Sequence, residues 1–358
     1  MGLEDPCMPN SSAETRNFVL ACYAVSLIQG HTLLGKPVRL ATVQHYLKGA
    51  YALFTKRNKS LEIKITSTDH IKIITDSLQR YERVKRRRNM ITDGMTRWLS
   101  RQAKSHHKDS DFSAIVDWVI LGRYAGFRKS EWCQSTLDEY ERINEWPGKP
   151  ALAFIRSDFE FLAKDERFLS EEEVLKSPHL IHFVKITFRK QKNKQNGESV
   201  TFARDEAHPN YCPVIAALRI HARAIRLKIP DHVPIGMFKG KDGTRQFITD
   251  SLVAKYLRQS ASAVLNIKKG DDYLSLWSTH SIRVTAANLL HRARFSDSFI
   301  QKRLRWRSNS FLDYLRDTTY AADQHSKHLS ISENNLPPVW KRTYRAEEPA
   351  ETLLAPAA

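Results

Sequence analysis

Cysteine is scarce in this chain. Cys7, Cys22, Cys133 and Cys212 are the four in 358 residues, and no two of them share a metal-ligand spacing. A disulfide framework or a zinc site is therefore not expected, and buried or surface thiols in a reducing compartment are. Long apolar runs are missing too: no stretch approaches the roughly 18 residues of a membrane span. The opening MGLEDPCMPNSS is acidic and polar, unlike a signal or transit peptide, and Pro6 stands where a myristoylation signal wants Ser or Thr. The chain is expected to stay inside the cell, in the nucleus of a eukaryotic host and in the cytoplasm otherwise. It has no G-x-x-x-x-G-K-[ST] loop, and the turn Gly240-Lys241-Asp242-Gly243 is not one. Asp271-Asp272 is an isolated acidic pair that suits a loop or helix cap better than a two-metal site. No cofactor and no metal are expected.

Acidic residues are also in deficit: 39 Asp and Glu stand against 57 Lys and Arg, a net charge of +18. Self-repulsion of that size is commonly tolerated because a polyanion absorbs it. Neither a basic amphipathic helix nor a lipid anchor is evident, so nucleic acid is the better partner and a membrane the poorer one. Charge by itself does not separate an enzyme from a passive binder.

The length favours two domains. Residues 1–88 read as a helical bundle. Ser11-x-x-Glu14 resembles a capping box before an apolar run from Phe18 to Ile28 that stops at Gly30. Further helical patterns run from about Leu40 to Phe54 and from about Thr68 to Val84, the last with Ile71, Ile74, Leu78 and Tyr81 on one face. The basic run RVKRRR, Arg83 to Arg88, suits a solvated linker with some phosphate contact or a nuclear signal. Helices are expected from Thr92 and over Asp109–Tyr124, the latter burying Phe112, Ile115, Val116, Val119 and Ile120. The period then changes. Ala151–Ile155, Ile181–Phe188 and Ser199–Phe202 read as strands, the last two joined by the polar hairpin RKQKNKQNGE. Helices return over Pro213–Leu227, Asp250–Leu265, Ser281–Ala293, Ser296–Leu304 and Asn309–Arg316. The expected fold is mostly α with a small antiparallel β-sheet: an N-terminal helical bundle, then a mixed α+β domain over 89–325. A polar tail, 326–358, follows.

Taken singly, the candidate residues say little. Gly126-Phe127-Arg128-Lys129-Ser130-Glu131 could be an ordinary helix start with a surface pair. His280-x-x-Arg283 puts two basic side chains on one helix face. Lys190, Lys192 and Lys194 suit a soluble turn. Trp306 and Tyr314 would usually be core aromatics, yet Arg294, Lys302, Arg303, Arg305 and Arg307 crowd around them.

Order and spacing are more specific. An arginine, a hairpin lysine, H-x-x-R, a tryptophan and then a tyrosine is the order found in tyrosine recombinases, which this chain resembles over roughly residues 90–320. HSIRVTAANLLHRARFSDSFIQKRLRWRSNSFLDY is similar to that family's C-terminal active-site block, and GFRKSEW to its first arginine box. RWRSNSFLDY, with tryptophan where many members carry histidine, is closest to recombinases of crypton-type and DIRS-type mobile elements. Arg305 stands where glycine is common, and a positive φ there would disfavour arginine. The Trp306–Tyr314 interval is shorter than in phage-type members.

The chemistry explains why these residue types belong together. Strand cleavage is phosphoryl transfer, which builds charge on the non-bridging oxygens, and planar guanidiniums hold those oxygens in pairs. Arg128 and Arg283 fit that part. A side-chain nucleophile splits one hard step into two through a covalent intermediate. The resemblance places Tyr314 there, forming a 3′-phosphotyrosine and releasing a 5′-hydroxyl. It implies Lys192, ahead of Lys190 and Lys194, as proton donor to the leaving oxygen. His280 would donate to phosphate or assist Tyr314, and Trp306 would offer its indole N–H. Glu131 reads as an arginine's orienting partner. The resemblance further implies double-stranded DNA as substrate, a homo-tetramer on DNA, a DNA-clamping role for residues 1–88 and an exchange arm in the tail, including Val339-Trp340. Two alternatives stay open: a catalytically silent DNA-binding protein derived from a mobile element, and a type IB topoisomerase.

Overall fold

The computed structural model describes residues 11–32, 35, 37–57, 70–81, 86–133, 153–189 and 196–315. The chain divides into two compact units, Met1–Arg86 and Arg87–Ala358.

In the first unit, Ser12 starts helix α1 (Ala13–Gln29) by accepting the Thr15 amide on its hydroxyl at 3.1 Å. The cap is thus one residue later than Ser11. Gly30, at φ 93°, ends the helix in the left-handed conformation that glycine adopts without strain. Leu20, Ala21, Ala24 and Leu27 bury against Val43 and Leu47 of α2 (Leu40–Arg57), and Ile74 of α3 (His70–Tyr81) packs on the same core. The remainder of the helical pattern expected from Thr68 to Val84 lies outside the described residues.

The second unit is built around a helix that has no polar face. In α5 (Asp111–Ala125), everything from Phe112 to Gly122 is buried, the five residues expected there included. Helix α4 (Asp93–Ala103), capped by Thr92, packs on it, as does α8 (Pro213–Arg226), and buried Asp117 of α5 pairs with Arg223 of α8 at 2.5 Å. Burial outweighs the arginines and raises the Asp117 carboxyl above its ordinary value. A short helix, α6 (Lys129–Trp132), follows, with Trp132 stacked on Trp118.

A three-stranded antiparallel sheet joins β1 (Phe159–Leu162), β2 (Phe183–Phe188) and β3 (Glu198–Ala203) in that order, with helix α7 (Glu171–Lys176) between β1 and β2. Val184, Ile186 and Phe188 alternate inward on β2, and Val184 pairs with Phe202. The strand expected at Ala151–Ile155 is not one in its described part, residues 153–155. The Phe154 amide bonds to the Glu131 carbonyl and its own carbonyl takes the Ile235 amide, so neither joins a ladder. Asp158 then caps the Ile155 amide and opens a 3-10 turn, Arg156–Asp158. A second hairpin, β4 (Met237–Lys239) with β5 (Arg245–Phe247), was not anticipated; the Gly240–Gly243 turn joins its strands.

The rest is helical: α9 (Asp250–Leu265), α10 (Thr279–Arg292) and α11 (Asp297–Arg303). The expected last helix, Asn309–Arg316, is instead a 3-10 turn over Asn309–Tyr314, with Leu315 extended and Arg316 outside the described residues. Ser308 caps this turn at the Ser310 amide, and Asn288 of α10 donates to the Tyr314 carbonyl at 2.8 Å. The architecture is mostly α with a small antiparallel sheet. Among the described residues, no helix is long and apolar enough to cross a membrane.

Candidate active site

The sequence places an arginine at each of three chain segments that meet. Helix α5 ends at Gly126, whose φ is +57° and where a Cβ would crowd Leu304 Cδ2 at 2.9 Å. Two residues later Arg128 starts α6. Its amide donates to Glu131 at 2.8 Å, its Nη1 to Glu131 Oε1 at 3.0 Å, and its Nη2 to the Arg305 carbonyl at 3.1 Å. Glu131 is buried, so an arginine partner is what makes its charge tolerable there. Glu131 thus accepts from Arg128 on both carboxylate oxygens.

Arg283 comes from the buried face of α10. Its Nη1 donates to the Gly126 carbonyl at 2.5 Å and its Nη2 to the Leu304 carbonyl at 2.9 Å, while the guanidinium lies 3.9 Å over the Trp306 ring. One helical turn earlier, exposed His280 sets its ring 5.1 Å from that of Tyr314. Tyr314 is half-buried and lies 5.3 Å from Trp306. Arg128, Arg283, His280, Trp306 and Tyr314 therefore form one connected cluster, assembled from residues up to 186 positions apart (314 − 128). Lys190, Lys192 and Lys194 lie outside the described residues. The hairpin that bears them reaches the cluster at its base, where Phe188 underlies a guanidinium.

That guanidinium belongs to Arg305. The residue does adopt a positive φ, +59°, as glycine would, and its side chain is buried. Nη1 donates to the Ala125 carbonyl at 3.0 Å and Nη2 to Glu131 Oε2 at 3.3 Å, and the group stacks 3.4 Å over Phe188. From the sequence, Arg305 reads as one of several basic residues beside the aromatics and as a misfit at a glycine position. The available signal was that density of arginine next to supposed core tryptophan.

Two guanidiniums, Arg128 and Arg305, thus pair with one buried carboxylate, and Arg283 adds a third cation to the cluster. Burial, then repulsion from Arg128 and Arg305, lowers Arg283 to about 9. Burial lowers Arg305 to about 10 despite the pull of Glu131. Concentrating cations where water is excluded is unfavourable unless an anion joins them. The arrangement is suited to hold a dianionic or developing-dianionic group against Arg128 and Arg283, with a tyrosine hydroxyl alongside. A wide cleft lined by His106, Asp111, Lys241, Gln246 and Lys255 shares no residue with this cluster. Among the described residues, no group of His, Cys, Asp and Glu could hold a metal ion. Buried Cys133 and Cys212 and exposed Cys22 are free thiols.

No family model and no curated protein matches the chain. Among solved structures, it is similar to a fragment of the Tn1549 transposon integrase in complex with transposon right end DNA, with 10% identity, a TM-score of 0.46, and 88% of this chain and 85% of that chain covered. It is also similar to the XerH site-specific recombinase bound to its palindromic difH substrate, at 14% identity and a TM-score of 0.45, over 90% of this chain and 73% of that one. A lambda integrase dimer bound to a core site shows 13% identity and a TM-score of 0.41, covering 89% and 84%.

Proposed function

We infer that the protein is a tyrosine-type DNA recombinase or integrase, which cuts and rejoins duplex DNA through a 3′-phosphotyrosine. The observation that carries this reading is that Arg128 and Arg283 bond to successive carbonyls just before Trp306, whose ring lies against both Arg283 and Tyr314, in the order shared with the tyrosine recombinases. Arg128 and Arg283 hold the non-bridging oxygens of the scissile phosphate, and Trp306 adds an indole N–H. The Tyr314 oxygen attacks phosphorus while His280 assists loss of its proton. The bond to the 5′-oxygen breaks, and that oxygen takes a proton from a hairpin lysine, Lys192 ahead of Lys190. Rejoining reverses the step: a 5′-hydroxyl attacks the phosphotyrosine and frees Tyr314. One phosphoester replaces another each time, so the reaction draws on no nucleotide hydrolysis.

The same reading assigns a role to each part of the chain. Residues 1–88 act as the DNA clamp, 89–325 as the catalytic domain and 326–358 as an arm exchanged between subunits of a tetramer. Kinship with crypton-type and DIRS-type elements belongs to the same reading.

The test is covalent capture from a pool of nicked duplexes of random sequence, without metal or nucleotide, followed by denaturing electrophoresis. Wild type is expected to yield a protein–DNA adduct that Tyr314→Phe does not form. DNA binding by wild type with no adduct from any member of the pool would favour the silent binding protein instead. Relaxation of supercoils by a monomer, without strand exchange, would favour the topoisomerase.

A further inference from the structure

We propose that Arg305 is a positioning residue that sets the forks of both Arg128 and Arg283; this rests on the function just inferred. Two successive carbonyls of one turn carry the first half of the argument. The Leu304 carbonyl receives Arg283 and the Arg305 carbonyl receives Arg128, at 2.9 and 3.1 Å. Both can face inward because residue 305 is left-handed, at φ +59°. A glycine would supply that backbone with no Cβ strain. The chain has arginine instead, buried to 1% exposure, which a merely permissive turn does not call for.

The side chain supplies the second half. Its fork spans two elements, the Ala125 carbonyl at the end of α5 and Glu131 Oε2 on α6. Between those two anchors lies Gly126, whose carbonyl receives Arg283. Glu131 in turn receives Arg128 on its other oxygen. The left-handed turns at Gly126 and Arg305 therefore brace each other: each presents a carbonyl to Arg283, and the Arg305 guanidinium fixes the spacing between them. Its face rests on Phe188, the last residue of β2 before the lysine-bearing turn. The Arg305 side chain thus reaches the segment that supplies Arg128 and the strand that leads to the proposed lysine, while its own turn presents the Leu304 carbonyl to Arg283. A lysine could bring charge but not a planar fork able to serve two separated acceptors.

Arg305→Gly separates the parts, because it keeps the left-handed turn and removes the guanidinium. Single-turnover adduct formation is expected to fall about 100-fold, the scale of a small misplacement of a catalytic group. DNA affinity, dominated by phosphate contacts elsewhere, should hold. Glu131→Gln should produce a similar loss, and the double variant should be no slower than the worse single, since both act through one link to Arg128. Arg305→Lys should not restore the rate. Cleavage at the wild-type rate by Arg305→Gly, or losses that multiply in the double variant, would overturn the proposal and leave the recombinase reading intact. If Arg305→Gly does not melt as a folded protein, Arg305→Lys carries the same test, and a wild-type rate there overturns it. If wild type forms no adduct, the functional reading fails instead, and inorganic phosphate decides for Arg305. Its affinity, read from the thermal shift, should weaken about tenfold in Arg305→Gly, and equal affinity would overturn the proposal.

Discussion

Arg283 and His221 are both buried bases, and the surroundings treat them in opposite ways. Around Arg283, two carbonyls and an aromatic face hold the cation in place although burial and two neighbouring guanidiniums oppose it. His221, on α8, faces the Phe161 ring at 5.3 Å, with the Glu171 carboxylate 3.9 Å from Nε2 and Arg156 nearby. Burial, then the Arg156 charge, lowers it from 6.5 to about 4. It is therefore neutral in the fold and becomes charged on unfolding at mildly acidic pH. Between about pH 6.5 and 4 the unfolded chain binds a proton that the folded chain does not, so stability falls as pH falls through that window. The full effect is at most about 3 kcal/mol. His221→Phe, of similar shape and unable to titrate, should narrow the stability difference between pH 7 and pH 4.5 by about 2 kcal/mol in urea unfolding. An unchanged difference would show that His221 is not the group responsible. Single residues are legible in the sequence where order and spacing tie them to one another. Arg128, Arg283, His280, Trp306 and Tyr314 stood out by order and were found together. Arg305 did not, because its partners Ala125, Glu131 and Phe188 lie more than a hundred positions away in sequence.

The helices were easier to read than the strands because their signals are local. Asp250–Leu265 was expected with the bounds it has, since Thr249 caps the Leu252 amide and Asn266 closes the helix in a left-handed conformation. The apolar residues at 153–155 resemble a strand, but Phe154 spends its backbone bonds on Glu131 and Ile235, and the alternation that matters begins at Phe159. In the last segment a six-residue 3-10 turn and a helix share most of their sequence pattern, and the Asn288 bond to the Tyr314 carbonyl decides between them. What holds the cluster's frame is the crossing of α5 and α10. At Gly122 the two helices pack tightly, and a Cβ there would meet Ile282 Cγ2 at 2.5 Å. Ala is the better helix former by about 1 kcal/mol, but overpacking a buried crossing costs about 1–3 kcal/mol, so the clash wins. Gly122→Ala should therefore destabilise the protein in urea unfolding. Combined with Ile282→Ala, which removes the methyl it strikes, the two losses should sum to less than their separate values. Full additivity would mean that the helices do not meet at this point.

The two units differ in how much they can bury. The first has a described core of Leu20, Ala21, Ala24, Leu27, Val43 and Leu47, whereas the second closes on an extended core that includes Trp118, Trp132 and Trp277. A unit of under ninety residues buries a smaller share of its surface and holds a correspondingly smaller margin of stability. The tryptophans make this measurable without any variant. All seven of them, from Trp98 to Trp340, lie after the boundary at Arg86. Tryptophan fluorescence therefore follows the second unit, while far-UV circular dichroism follows the helices of both. In a urea titration, ellipticity is expected to fall in an early step that fluorescence does not register, followed by a step that both probes share. Adding duplex DNA at low salt should move the early step to higher urea if the first unit closes on DNA, because a ligand that binds only the folded form adds RT ln(1 + [L]/Kd) to its stability. The shift should shrink as salt rises, as phosphate-dominated binding requires. Coincident transitions by both probes would mean that the two units fold as one. An early step that ignores DNA would remove the first unit from the DNA-binding surface.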